Sequence, residues 1–136
     1  VFNTSPYFSY NEMQMRVVDG QIQGYIEMKP NLIGNISFHI LHGGVSATLL
    51  DSIGVIVAMA ELYNRAEPDQ MAETLKKVSR LATVDMRVDY LAPGRGKHFI
   101  ATAEVLRMGR KGCTMRMNMV NDEGKPIATG IASYAY

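Results

Sequence analysis

The chain has 136 residues, with 14 basic and 13 acidic side chains, 47% hydrophobic residues, ten methionines, one cysteine and no tryptophan. That length fits a single domain spanning 1–136, burying roughly 70% of its unfolded surface, so a core needs neither disulfide nor structural metal. A net charge of +1 argues against non-specific nucleic-acid binding, which rests on a large basic surplus, and the lone Cys113 excludes an internal disulfide and suits a reducing cytoplasm.

The opening residues, Val1 to Pro6, have neither the basic head nor the apolar run of a secretory signal. From Glu12 to Lys29, two extended runs flank Asp19-Gly20, a dipeptide typical of a tight hairpin turn, and predict two antiparallel strands. Pro30 to Leu41 reads as irregular, with Asn31, Gly34 and Asn35 as loop formers. His42-Gly43-Gly44 then leads into an apolar run too long for a strand, ending near Asn64. A bilayer span over Val45 to Leu62 would leave the carboxylates of Asp51 and Glu61 in hydrocarbon. A long buried helix and no membrane contact are therefore expected.

After Pro68, residues 67–80 are polar and predict a short helix or ordered loop. From Thr83 the period becomes two, with Val84, Met86, Val88 and Tyr90 on one face and Asp85, Arg87 and Asp89 on the other. Pro93 to Gly96 breaks the chain and His98 to Met108 resumes as a strand. Gly109-Arg110-Lys111-Gly112 turns into a strand in which Cys113, Met115, Met117 and Met119 alternate with polar residues, and Pro126 to Tyr136 closes the chain as a last strand. Two strands, a long helix and about four strands predict an α+β architecture, an antiparallel sheet wrapped around one helix.

Two features of the helix carry chemistry. Gly43 and Gly44 at its mouth either leave backbone N–H groups open to an oxyanion, beside the positive end of the macrodipole, or simply permit close packing on the sheet. Asp51 is the only formal charge between Lys29 and Glu61. It is either a solvated or satisfied helix residue, or a carboxylate whose burial makes it a general base. Gly43 and Asp51 stand eight residues apart, about 12 Å along one helix and too far to share a carbonyl. If they cooperate, each comes from a different chain of a two-fold dimer with two composite sites. One oxyanion donor and one carboxylate suit acyl transfer to water, above all from a thioester. His39 and His42 lack a convincing third ligand, so no metal is expected, nor any other cofactor.

On these residues the chain resembles the hotdog-fold thioesterases of the phenylacetate-pathway (PaaI) type. Their His-Gly-Gly opens the central helix and their catalytic Asp follows nine residues later, as His42 and Asp51 do here. It is similar above all to the YigI-type acyl-CoA thioesterases, through Ile33-Gly34-Asn35, Ile40 to Val45, Leu81 to Leu91 and Pro93 to Gly96. The resemblance implies an acyl-CoA thioesterase of hotdog fold, assembled as a homodimer and often as a dimer of dimers. It implies that the Gly43 N–H stabilises the oxyanion, His42 helps set the carbonyl, and Asp51 of the opposing subunit is nucleophile or base. Thr83 falls where relatives place a Ser or Thr that positions the attacking water on the subunit of the catalytic Asp. Relatives carry an Asn six residues before the His, where this chain has Ile36, with Asn35 one position earlier as the candidate. Gly44 completes the substrate-facing mouth. Coenzyme A carries phosphates, so Arg95 and Lys97 in one turn, and Arg110 and Lys111 in another, are candidate partners. The dominance of apolar positions favours a medium- to long-chain fatty acyl group, and the alternative is a non-catalytic acyl-CoA binding or sensing module that would not need Asp51.

Overall fold

The computed structural model describes Asn3 and residues 5–136; Val1, Phe2 and Thr4, which carry part of the reading about a signal segment, lie outside the described residues. A short helix not foreseen in the sequence, α1 (Pro6–Asn11), is capped by the Ser5 hydroxyl and leads into β1 (Gln14–Val18) and β2 (Gln21–Glu27). The two strands pair antiparallel around a two-residue turn, and Asp19 at φ 51° and Gly20 at φ 78° supply the left-handed pair that matches strand twist. The stretch expected to be irregular holds a 3-10 turn over Pro30–Leu32 and a small ladder of β3 (Ile33–Asn35) with β4 (Ile40–Leu41).

The long helix, α2, runs from Gly43 to Arg65, and Arg65 in its last turn meets the negative end of the macrodipole. After a 3-10 turn over Pro68–Gln70, the polar segment forms α3 (Met71–Arg80). Four strands follow: β5 (Ala82–Tyr90), β6 (His98–Met108), β7 (Gly112–Asn121) and β8 (Pro126–Ala135). They join the first two in one antiparallel six-stranded sheet of order β1-β2-β6-β7-β8-β5.

This is the hotdog architecture, α+β, with the sheet curled around α2. The alternation read in the sequence places Cys113, Met115, Met117 and Met119 in the core. There they meet Leu49, Leu50, Ile53 and Ala58 of the helix and Phe99 of β6. Burying one such large apolar side chain is worth about 1.5–3 kcal/mol. Gly54 lets helix and sheet approach closely, since a Cβ there would stand 2.2 Å from the Tyr134 hydroxyl.

α2 is long and apolar enough to span a membrane, yet its fully buried residues pack on the sheet. Of its apolar stretch 39% is fully buried within the chain, and Val45, Val55, Ile56 and Val57 are half-buried against the core. β5 is likewise an edge strand, hydrogen-bonded on one side alone, with Val84, Tyr90 and the neighbouring Leu91 each more than half exposed.

The strict alternation expected along β5 fails at one position. Thr83 pairs with Tyr134 and Asp85 with Ser133, so Val84 is an extra residue, unpaired and 65% exposed instead of joining the face of Met86 and Val88. A β-bulge of this kind re-aims the side chain next to it. Thr83 thereby stands opposite the buried Tyr134 and shares its helix-facing side.

Candidate active site

The mouth of α2 is built by a capping interaction that composition does not announce. His42 has extended dihedrals, φ −62° and ψ 133°, and its Nδ1 accepts the Gly44 N–H at 2.8 Å. In the neutral imidazole that bond puts the proton on Nε2, a remaining donor on an exposed side chain. Gly44 is therefore not an open N–H: its donor is already used by the ring of His42. Gly43 occupies the first helical position, where no intrahelical acceptor exists, and no acceptor among the described residues takes its N–H. The His42 carbonyl accepts from Val45 at 3.0 Å, and the His42 N–H donates to Leu32 at 2.8 Å, fixing the mouth against the preceding turn.

The opposite wall comes from the sheet. Tyr90, at the end of β5, donates its hydroxyl to the Gly43 carbonyl at 2.8 Å, and its ring lies 3.2 Å from where a Gly43 Cβ would be. The sequence announces neither contact; its alternation only sets Tyr90 on one face with Val84, Met86 and Val88. β3 and its loop to β4 close the other flank, since a Cβ on Gly34 of β3 would approach the His42 Cα to 2.8 Å. Asn35 ends β3 where the loop to β4 begins, and its Oδ1 is taken by the Phe38 N–H at 3.2 Å. The loop tip exposes Ile36 and Phe38, with the Arg95 guanidinium 6.0 Å from the Phe38 ring centre.

Two turns further along α2, Asp51 is half-buried rather than enclosed in the core. Its Oδ1 accepts the Thr83 hydroxyl at 2.9 Å, within the same chain, leaving Oδ2 unengaged by that bond. Its backbone carbonyl accepts the Tyr134 hydroxyl at 3.1 Å. Burial, then the charge of Asp51 and a hydrogen bond with it, push the Tyr134 phenol far above its ordinary range, so it remains a neutral donor. The bulge at Val84 makes this constellation possible, because Thr83 and Tyr134 become cross-strand neighbours that both reach Asp51.

The two basic turns do not meet. β6 spans 11 residues, about 35 Å of extended chain. Arg95 and Lys97 precede its start, where Leu41 donates to the Gly94 carbonyl, and Arg110 and Lys111 follow its end. Arg110 lines a cavity of about 300 Å³ with Leu62, Arg65, Thr74, Lys77 and Met108. Lys77 and Arg80 of α3 also flank Arg110 and Lys111 in an adjoining cleft. In the sequence the charged end of α3 is only part of a polar segment, and nothing in its spacing points to the turn it joins. Among the described residues, no three His, Cys, Asp or Glu side chains gather as a metal site requires.

With this geometry in place, known proteins supply the context. Residues 38–128 match the family model described as the thioesterase superfamily. The medium/long-chain acyl-CoA thioesterase YigI of Escherichia coli K12 is 41% identical over 106 residues, which cover 78% of this chain and 68% of that protein. Acyl-coenzyme A thioesterase 13 of Mus musculus is 32% identical over 92 residues, covering 66% of this chain and 56% of that one. A crystal structure from Shewanella oneidensis, of a protein related to the thioesterase superfamily, superposes with a TM-score of 0.90 at 39% identity, covering 96% of this chain and 86% of that chain.

Proposed function

The chain belongs to the thioesterase superfamily, and from that premise we propose that it hydrolyses fatty acyl-CoA of medium to long chain, releasing the free acid and CoA. The observation that carries the reading is the 2.9 Å hydrogen bond from Thr83 to Asp51. It orients one carboxylate oxygen and leaves the other for chemistry.

The composite site joins the Gly43 N–H of one subunit to Asp51 of its partner. Eight residues on one helix, about 12 Å, separate the two groups within a chain, and a second copy supplies the missing half. The unpaired edge of β5 and the half-buried apolar residues of α2, Val45, Val55, Ile56 and Val57 among them, support such a partner. Two such dimers pack into the tetramer expected of the family.

In this site Asp51 takes the proton of a water that Thr83 helps to place, and the hydroxide adds to the thioester carbon. Negative charge then develops on the carbonyl oxygen, where the Gly43 N–H and the remaining Nε2–H of His42 stabilise it. Collapse of the adduct expels the CoA thiolate, which leaves without help from a strong acid. The alternative route has Asp51 attack the carbon and form a mixed anhydride that water then cleaves; labelled oxygen found in Asp51 after a single turnover separates the two.

The half-buried apolar flank of α2 receives the acyl chain, beside the mouth formed by Gly44 and the loop after Asn35. Arg110 and Lys111 of one subunit and Arg95 and Lys97 of the other serve the phosphates of CoA, and reversing their charges raises KM more than it lowers kcat. Cys113 and the near-neutral charge suit the cytoplasm, with neither nucleic acid nor membrane as partner and no metal or cofactor in the reaction.

The test is a thiol-release assay over short-, long-chain and aromatic acyl-CoAs, with the wild type and Asp51→Ala side by side. Turnover of the fatty substrates that vanishes in Asp51→Ala is expected. Binding of every acyl-CoA without thiol release would sink the proposal and establish a binding module instead.

A further inference from the structure

Two tyrosine hydroxyls reach across from the sheet to the backbone of α2, and each lands on a residue of the proposed machinery. Tyr90 donates to the Gly43 carbonyl at 2.8 Å and Tyr134 to the Asp51 carbonyl at 3.1 Å. Their surroundings differ. Tyr134 is 1% exposed and Tyr90 55% exposed, so burial alone does not account for the shared pattern. A helix carbonyl already has an intrahelical partner, so neither bond is required to satisfy a stranded acceptor. What each does is tie a single point of the helix to a single point of the sheet.

We propose that Tyr90 and Tyr134 are positioning residues that set the register of α2 on the sheet at the oxyanion donor and at the carboxylate. The inference rests on the roles of Gly43 and Asp51 given above.

Tyr134 stands opposite Thr83 in the ladder, so one cross-strand pair grips Asp51 twice, by its carbonyl and by its Oδ1. The grip resists rotation of the helix about its axis, which would carry Oδ2 away from the attacking water. Gly54 is the concession that admits it, because any Cβ there would displace the Tyr134 hydroxyl. Tyr90 acts likewise at the mouth. It holds the Gly43–Gly44 peptide, and the preceding peptide, whose N–H faces the carbonyl oxygen, is held between that anchor and the bond from His42 to Leu32. Errors near 1 Å in such placement cost large factors in rate without altering which groups are present.

The experiment compares Tyr90→Phe, Tyr134→Phe and their combination with the wild type, and uses Tyr25→Phe on β2 as the control for loss of a tyrosine hydroxyl elsewhere. Each phenylalanine keeps the ring and removes one hydrogen bond. Lower kcat, by about three- to tenfold for each single variant, is expected with KM within about twofold. The assay runs well below the thermal midpoint of every variant, so that population of the folded state does not enter. A second readout is a cycle with Asp51→Asn: if Tyr134 acts through Asp51, Tyr134→Phe lowers the residual rate of Asp51→Asn by less than twofold.

Unchanged kcat in both single variants, or a rise in KM that accounts for the whole loss, would overturn the inference while Asp51→Asn stays at its small residual rate. Wild-type turnover by Asp51→Asn would overturn the assignment of the site itself, and the inference with it. Tyr90→Phe alters only a half-exposed side chain, so it decides the question at the mouth even if removal of the buried Tyr134 hydroxyl prevents folding.

Discussion

The division of the site between two subunits can be tested by removing one half from each. Gly43 is the first residue of α2, the position at which proline is best tolerated, because its N–H has no helical partner. Gly43→Pro therefore removes the oxyanion donor and little else. His42 already has the extended dihedrals that a residue before proline adopts, φ −62° and ψ 133°. The new Cβ would stand 3.2 Å from the Tyr90 ring, which is 55% exposed and free to yield by a few tenths of an ångström. Loss of one oxyanion donor costs on the order of a hundred- to a thousandfold in kcat, and Asp51→Asn removes the base or nucleophile. Each variant alone keeps only a small residual rate on either view of the site. Refolded together in equal amounts, half of the dimers are mixed, and each mixed dimer carries one intact site made of Gly43 from the Asp51→Asn chain and Asp51 from the Gly43→Pro chain. Thiol release at about a quarter of the wild-type rate is the expected result, rising to about half for mixed dimers purified through two different tags. Mixed dimers that stay at the parental rate would refute the composite site and return both groups to one chain.

Thr83→Val keeps the β-branched shape and removes the donor to Asp51; with Thr83 exposed and Asp51 half-buried, the bond is worth about 1 kcal/mol, or about fivefold in kcat at constant KM, and steady-state kinetics within twofold of wild type would contradict it. Gly54→Ala puts a Cβ 2.2 Å from the Tyr134 hydroxyl, an overpacking cost of about 1–3 kcal/mol, so the thermal midpoint falls by several degrees; an unchanged midpoint would show that the helix and β8 do not meet there. Cys113 is buried, and burial pushes its thiol up. It therefore stays unmodified by an aromatic disulfide reagent until urea unfolds the chain, and equally fast labelling of the native protein would be inconsistent with that packing. Asp122 accepts the Lys97 N–H at 2.8 Å, and that bond first of all lowers its carboxyl below the ordinary value. A depressed folded value contributes stability above the ordinary 3.8, which is lost as pH falls through the folded value. The difference in urea midpoint between wild type and Asp122→Ala is therefore constant above about pH 5 and shrinks below the ordinary value; a gap that persists at lower pH would count against this origin.

The elements that the sequence announced are those whose signal is local. A hairpin needs two left-handed residues in succession, and Asp19-Gly20 supplies them; β7 is central, so its period of two survives intact and its methionines are all buried. The long apolar run could be only a helix at that length, and Arg65 and Pro68 mark its end within a residue of the place expected. α1 escaped because six residues carry too little periodicity to be seen, and only the Ser5 cap and Pro6 hint at it. The β3–β4 ladder is too short to show alternation.

The site was legible as far as a residue's chemistry is local, and no further. His-Gly-Gly before an apolar run announces a helix mouth, but which N–H stays open depends on where the His42 ring folds, and that ring takes Gly44 and leaves Gly43. A lone aspartate in an apolar helix draws notice, yet its surroundings come from a strand that begins more than 30 residues later. That strand hides the decisive detail, because an alternation count along residues 83–90 puts Thr83 on the outer face and Val84 within. Only the pairing with β8 shows the extra residue at Val84 that turns Thr83 towards Asp51. The bulge is a property of two strands and a helix together: a regular ladder would set Val84, not Thr83, opposite Tyr134, and the carboxylate would face an aliphatic side chain with no hydrogen to donate.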